Sequence, residues 1–228
     1  MILLAIETAT EACSVGILRQ DGKRFTRFEI APRAHMQHVP TMLEELLIES
    51  KLDKSEITHC AISAGPGAFT GIRIGASIAQ GIALGLNIPL LPVSTLAVLA
   101  QTCLNQSSQD KVMVALDARM DEIYWAVYER DELGLARLIG QEHLSHVDTI
   151  KVSPEITLGF GQGWATRLGQ SIQQRLLKGD FIVDDKGLPD ADSLLQLGES
   201  AVLMNLESSP ESIKINYLRN RVAHQKST

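Results

Sequence analysis

The feature that most restricts how this chain can fold is a change of hydrophobic period near residue 37. Before it, residues 2–7, 13–19 and 23–30 are short β-rich runs. They are separated by the small polar loop Thr8-Ala9-Thr10-Glu11 and by the hairpin signal Asp21-Gly22. After it, Val39, Met42, Leu43, Leu46 and Leu47 recur at the spacing of one helix face across residues 37–49. A short buried strand at 57–63, a helix at 70–86 and a strand at 90–93 follow. Three meandering strands, then helix, strand, helix and strand, predict a mixed α/β layer.

The order then begins again after a polar connection at 105–110. Residues 111–118 and 123–130 read as an antiparallel pair and 135–140 as a third strand. Helix at 166–177, strand at 182–183 and a last helix at 192–205 complete the reading, with Asp190 or Asp192 as the last helix's N-cap. The halves share no sequence repeat, only this order, which predicts two related lobes facing a cleft. The expected division of the 228 residues is a first lobe at 1–105 and a second at 106–228, with the helix at 191–207 packing back on the first.

Composition narrows the function classes. With 45% hydrophobic but only 4% aromatic residues, the core must be aliphatic, and a stacking platform for single-stranded nucleic acid has little to be built from. A net charge of −6 repels phosphates on average, although Lys214, Arg219, Arg221 and Lys226 make one end locally basic. Cys13, Cys60 and Cys103 lie in apolar runs without ligand spacing, as small buried hydrophobes of a reducing compartment do. Glu7 interrupts the first apolar stretch, and no basic segment precedes it, so no signal peptide is expected. The apolar region 72–100 is broken by Arg73, Asn87, Pro89 and Pro92, which argues against a membrane span and for a cytoplasmic chain.

Residues 64–73 follow a strand and open a helix. Their backbone N–H groups could hold an anion, but no Gly-Lys-Ser/Thr closes the loop, and a tight turn with an internal ion pair is the better reading. Thr70 is the expected N-cap, and Arg73 in the first turn opposes the helix dipole, which calls for an acidic partner. Gly71, Gly75, Ala79 and Ala83, spaced by four, form a row of small residues along one helix face. A glycine inside a helix costs on the order of 1 kcal/mol, so Gly75 and Gly81 point to close packing. The residues alone leave open whether the row meets the chain's own sheet or a partner's helix.

No arrangement of catalytic type emerges. His35 and His38, and His143 and His146 in an expected loop, lack the spacing and the glutamate of a zinc-protease helix. The glycines at 159, 161 and 163 end in Trp164 and read as a strand-ending turn. Asp117, Asp121 and Glu122 around Arg119 read as a hairpin tip, without a neighbouring nucleophile or base.

Several stretches together resemble the TsaB (YeaZ) family. They are residues 2–10 with Cys13-Ser14-Val15, residues 65–75, Pro92-Val93-Ser94-Thr95-Leu96, residues 116–124, and residues 217–223. The resemblance runs through the chain and is strongest to about residue 125. It implies two ribonuclease-H-like lobes of the actin/Hsp70/sugar-kinase type, the second reduced. It also implies a non-catalytic role beside TsaD, which transfers a threonylcarbamoyl group to the adenosine next to the tRNA anticodon, with the ATPase TsaE as a third partner. Contact with tRNA would be indirect, and no cofactor is implied.

On this resemblance Thr95 and Leu99 stand where TsaD-like relatives carry a His-x-x-x-His metal pair; a hydroxyl is a poor transition-metal ligand and Leu is none. Glu7 stands where many ATP-using relatives carry Asp. The implied docking surface is the first two helices, with Met42, Leu46, Gly71, Gly75, Ala79 and Ala83 as interface residues for a TsaD heterodimer or, alone, a homodimer. Cleft candidates are Glu7, Thr8, Arg73, Asp117, Arg119 and Asp121. The competing functions are an ATP-dependent kinase or hydrolase of the same fold and, less well supported, a metallopeptidase on His35 and His38.

Overall fold

The computed structural model describes residues 1–166 and 181–219, in which ten strands form two five-stranded sheets. The first sheet holds β1 (Leu3–Glu7), β2 (Ala12–Leu18), β3 (Arg24–Ile30), β4 (His59–Ser63) and β5 (Leu90–Val93), in the order β3-β2-β1-β4-β5. The second holds β6 (Lys111–Arg119), β7 (Glu122–Arg130), β8 (Ala136–His146), β9 (Leu158–Phe160) and β10 (Ile182–Asp184), in the order β10-β9-β6-β7-β8. In each, the first three strands form an antiparallel meander and the last two add in parallel on the other side of the first. The same topology is therefore built twice, from sequences with no visible repeat. Both lobes are ribonuclease-H-like.

The second lobe is the reduced one. In the first, α1 (His35–Ser50) joins β3 to β4 and α2 (Phe69–Leu86) joins β4 to β5. The matching β8–β9 connection holds only the single turn Val147–Thr149, and β9 and β10 are three residues each. The helix expected at 166–177 falls almost wholly outside the described residues, as do Arg221 and Lys226.

β1 and β2 are buried on both faces, which explains their unbroken apolar character. On one side Leu4, Ile6, Val15 and Ile17 pack with Val39, Met42 and Leu46 of α1 and with Ala76, Ala79 and Ala83 of α2. On the other, Leu3, Ala5 and Leu18 meet Ala191, Leu194 and Leu195 of α4 (Ala191–Leu203). Asp190 caps α4, its carboxylate accepting from the Ser193 N–H at 2.7 Å.

One helix escapes the sequence reading altogether. α3 (Thr95–Gln106) packs on the second sheet, where Leu96, Leu99, Ala100, Cys103 and Leu104 meet Val112, Val114, Leu116 and Phe160. Nine of its twelve residues are buried, so it lacks the apolar-to-polar contrast by which an amphipathic helix is recognised. α3 and α4 lie between the sheets, joined by the hydroxyls of Thr102 and Ser193 at 2.9 Å.

Two local expectations are corrected. α2 begins at Phe69, with Ala68 in the N-cap position and no side-chain cap, so Thr70 lies inside the first turn. His143 and His146 belong to β8 rather than to a loop. By length and composition α2 is apolar enough to cross a membrane, yet its Gly71–Ala83 row is buried against the chain's own loop and first sheet.

Candidate functional site

The site builds outward from the end of β1. Glu7 is fully buried, accepting from the Ala9 N–H at 2.7 Å and from the Ser63 hydroxyl. Burial pushes its carboxyl up to about 7 against the lowering effect of those two donors, and Asp190 raises it further. The next residues form a loop that sits directly on α2. The Thr8 hydroxyl donates to the Gly71 carbonyl at 2.9 Å, and the Ala68 N–H donates to the Ala9 carbonyl at 2.7 Å.

This seating explains the small residues at the start of α2. A Cβ on Gly67 would lie 2.3 Å from the Ala9 carbonyl oxygen, one on Gly71 2.1 Å from that of Thr8, and one on Gly75 2.3 Å from the Thr8 hydroxyl. The loop approaches so closely that only glycine fits. The row Gly71, Gly75, Ala79 and Ala83 is therefore filled by the chain's own loop and sheet, and Met42 and Leu46 are likewise buried against the first sheet. All six expected interface residues are core residues of the lone chain.

A second row on α2 meets the description instead. Ser77, Gly81 and Gly85, also spaced by four, are exposed, and a Cβ on Gly81 or Gly85 would meet nothing within 4 Å. The half-buried Ile78, Ile82 and Leu86 border this row, and α1 contributes the half-buried Leu43 and Leu47 nearby. Phe69 and Leu84 stand at its ends, 50% and 56% exposed. Nothing among the described residues requires glycine there. The sequence marks both rows equally, since each repeats every four residues.

The cleft candidates are scattered rather than convergent. Glu7 lies beneath the loop, and Thr8 is part of it, seated on α2. Arg73 has no acidic partner among the described residues: its guanidinium lies 3.6 Å over the Phe69 ring, and its Nε–H donates to the Tyr217 hydroxyl at 3.2 Å. Two aromatic faces take the place of the expected carboxylate. Asp117 closes the β6–β7 turn, accepting from the Arg119 N–H at 2.8 Å and pairing with its guanidinium at 3.0 Å. Arg119, Met120 and Asp121 are all left-handed, at φ 66°, 61° and 57°.

Sequence reasoning missed Glu142. It accepts hydrogen bonds from the hydroxyls of Ser94 and Tyr128 and from the Asn216 amide, groups drawn from both lobes and the C-terminal segment. Burial, followed by the Glu142 charge, pushes the Tyr128 hydroxyl well above its ordinary range.

A TsaD-type metal does not fit here. Thr95 is fully buried with its hydroxyl unpaired, and Leu99 packs so tightly that a Cβ on Gly161 would lie 2.7 Å from its Cδ2. Among the described residues no group of three or more His, Cys, Asp or Glu is placed to hold a metal. His35 is buried with its Nε2 3.1 Å from the Ala12 carbonyl, whereas His38 pairs outside with Glu29, so the two rings do not converge. His143 stacks on Trp125 at 4.4 Å, and His146 caps the turn that follows β8.

Two facing ribonuclease-H-like lobes, the second reduced, define a protein of the actin/Hsp70/sugar-kinase type. The model of TsaD, the tRNA N6-adenosine threonylcarbamoyltransferase, matches residues 28–209. The Escherichia coli protein named tRNA threonylcarbamoyladenosine biosynthesis protein TsaB is 38% identical, covering 99% of this chain and 98% of its own. The Haemophilus influenzae TsaB is 32% identical over 99% of this chain and 97% of its own. A solved YeaZ from Pseudomonas aeruginosa has a TM-score of 0.85 at 34% identity, covering 95% of this chain and 99% of its own. The chain belongs to the TsaB family, within the wider family that the TsaD model describes.

Proposed function

We propose that the chain serves threonylcarbamoylation of the adenosine next to the tRNA anticodon as a non-catalytic cytoplasmic partner of TsaD, working with TsaE. Docking would use the outer face of α2, with the neighbouring side of α1. The observation that carries this reading is the exposed row Ser77, Gly81 and Gly85, flanked by half-buried aliphatic side chains. Each glycine there costs on the order of 1 kcal/mol of helix stability, with no packing among the described residues to justify it. A partner helix approaching along the row would supply the reason, as would a second copy of the chain when TsaD is absent.

The reading as a partner rather than an enzyme is supported by the side chains an enzyme would need. Glu7 is buried beneath its loop and Asp117 is engaged in holding a turn. The Ala68 N–H, which could otherwise face a phosphate, is bound to the Ala9 carbonyl.

Reconstitution tests this. Threonylcarbamoyl transfer to tRNA should require the chain, and Gly81→Leu with Gly85→Leu should abolish both TsaD binding and transfer while the circular-dichroism spectrum stays unchanged. Retained binding in the double variant would move the docking surface elsewhere. ATP turnover by the lone chain, lost in Asp117→Ala, would overturn the non-catalytic assignment.

A further inference from the structure

We infer that residues 213–219 form a latch that fixes the angle between the two lobes, with Glu142 as the keeper that receives it. This goes beyond the partner role and does not rest on it.

The segment starts in the first lobe and ends in the second. Ile213 and Ile215 pack on the core between the first sheet and its outer helices. The Asn216 N–H donates to the carbonyl of Ala64, at the end of β4, at 2.7 Å. The backbone here lies so close to the 64–67 turn that a Cβ on Gly65 would come within 2.8 Å of the Asn216 carbonyl oxygen. Tyr217 then accepts from Arg73 of α2. Arg219 reaches the β6–β7 turn of the second lobe, donating to the Ala118 carbonyl at 2.9 Å and pairing with Glu122 at 2.6 Å.

Midway, the Asn216 side-chain amide donates to Glu142 at 2.7 Å. Glu142 is aimed there by an irregularity in the second sheet. Trp125 pairs with His143 and Val127 with Ile139, so residues 140–142 oppose Ala126 alone, and Gly140 takes φ +80°. Such a bulge redirects a side chain out of the regular alternation of a strand. The redirected carboxylate collects Ser94 from the β5–α3 junction, Tyr128 from β7 and Asn216 from the segment. In two-lobed proteins, hinge closure needs the groove between lobes to open and shut. Here the segment is held to the first lobe by the Asn216 N–H and Tyr217 and to the second by the Asn216 amide and Arg219, so that Asn216 itself bridges the groove.

The simpler account is that these contacts only pin the tail. Distances between lobes separate the two. Cys13, Cys60 and Cys103 are buried, so spin labels will go to cysteines introduced at the exposed Lys54 and Glu155, one on each lobe. The full-length parent should give a single narrow distance distribution. Asn216→Asp, which sets a second carboxylate against Glu142, and Arg219→Ala, which frees the far end, should each broaden or shift it. Hydrogen exchange across residues 213–219 should rise in the same variants. Faster exchange in the segment with an unchanged distance distribution reduces it to a local cover and overturns the latch. Unchanged exchange and distances in both variants overturn it too. Should Asn216→Asp fail to fold, Arg219→Ala carries the test alone.

Discussion

Replacing Glu7 by Gln should change the pH dependence of stability in a direction opposite to that of an ordinary salt-bridged carboxylate. The buried carboxyl is raised from 4.5 to about 7, chiefly by loss of water around it. The folded chain therefore holds a proton over an interval in which the unfolded chain has released it. Stability tied to Glu7 is fully present below pH 4.5, falls as pH rises toward 7, and is level above it. At about 1.4 kcal/mol per pH unit the whole effect is about 3 kcal/mol. A glutamine side chain is neutral throughout and keeps both partners, its oxygen accepting from the Ala9 N–H and its amide facing the Ser63 hydroxyl. Urea unfolding of the parent and the Glu7→Gln variant at matched pH isolates this group, since every other titration cancels in the difference. Near pH 4 the two should be nearly equally stable, and above pH 8 the variant should be the more stable by up to about 3 kcal/mol. A difference that stays flat with pH, or grows toward acid, would refute the claim that Glu7 is neutral in the folded chain at low pH.

Further outcomes follow from the packing. Gly75→Ala should destabilise, because its Cβ would lie 2.3 Å from the Thr8 hydroxyl, whereas Gly81→Ala, facing open space, should stabilise α2 by about 0.5–1 kcal/mol; thermal unfolding compares them directly. Trp164→Ala should cost about 3–5 kcal/mol, since the ring is 2% exposed, lies over Gly159 and donates to the Met113 carbonyl at 3.2 Å. Burial pushes the thiols of Cys13, Cys60 and Cys103 up to about 11, 12 and 12, so a thiol reagent at pH 8 should react with the native chain only at the rate at which it opens.

Legibility in the sequence follows the range of the interaction. The hairpin tip at Asp117–Glu122 is readable because Asp117 closes its own turn through Arg119, two residues away. Asp190 is readable as a cap because it acts on Ser193, three residues on. Arg73 misleads because its partners are split: Phe69 lies one turn back, but Tyr217 lies 144 residues ahead. Glu142 carries no signal at all, since its donors come from Ser94, Tyr128 and Asn216 and its aim depends on a shift in strand register.

The strands of the first sheet and the helices α1 and α2 that join them were legible in the chain alone, because a strand or an amphipathic helix is written in the period of its own residues. The sequence also carried the family resemblance. Which of two small-residue rows on α2 faces inward became clear in the folded chain alone. Gly71 and Gly75 are seated on Thr8, and Gly81 and Gly85 are not, although both rows repeat every four residues. Periodicity fixes which residues share a face; what that face meets depends on chain brought from elsewhere. For the same reason α3 stayed hidden, since burial on nearly every side erases the contrast that a period needs.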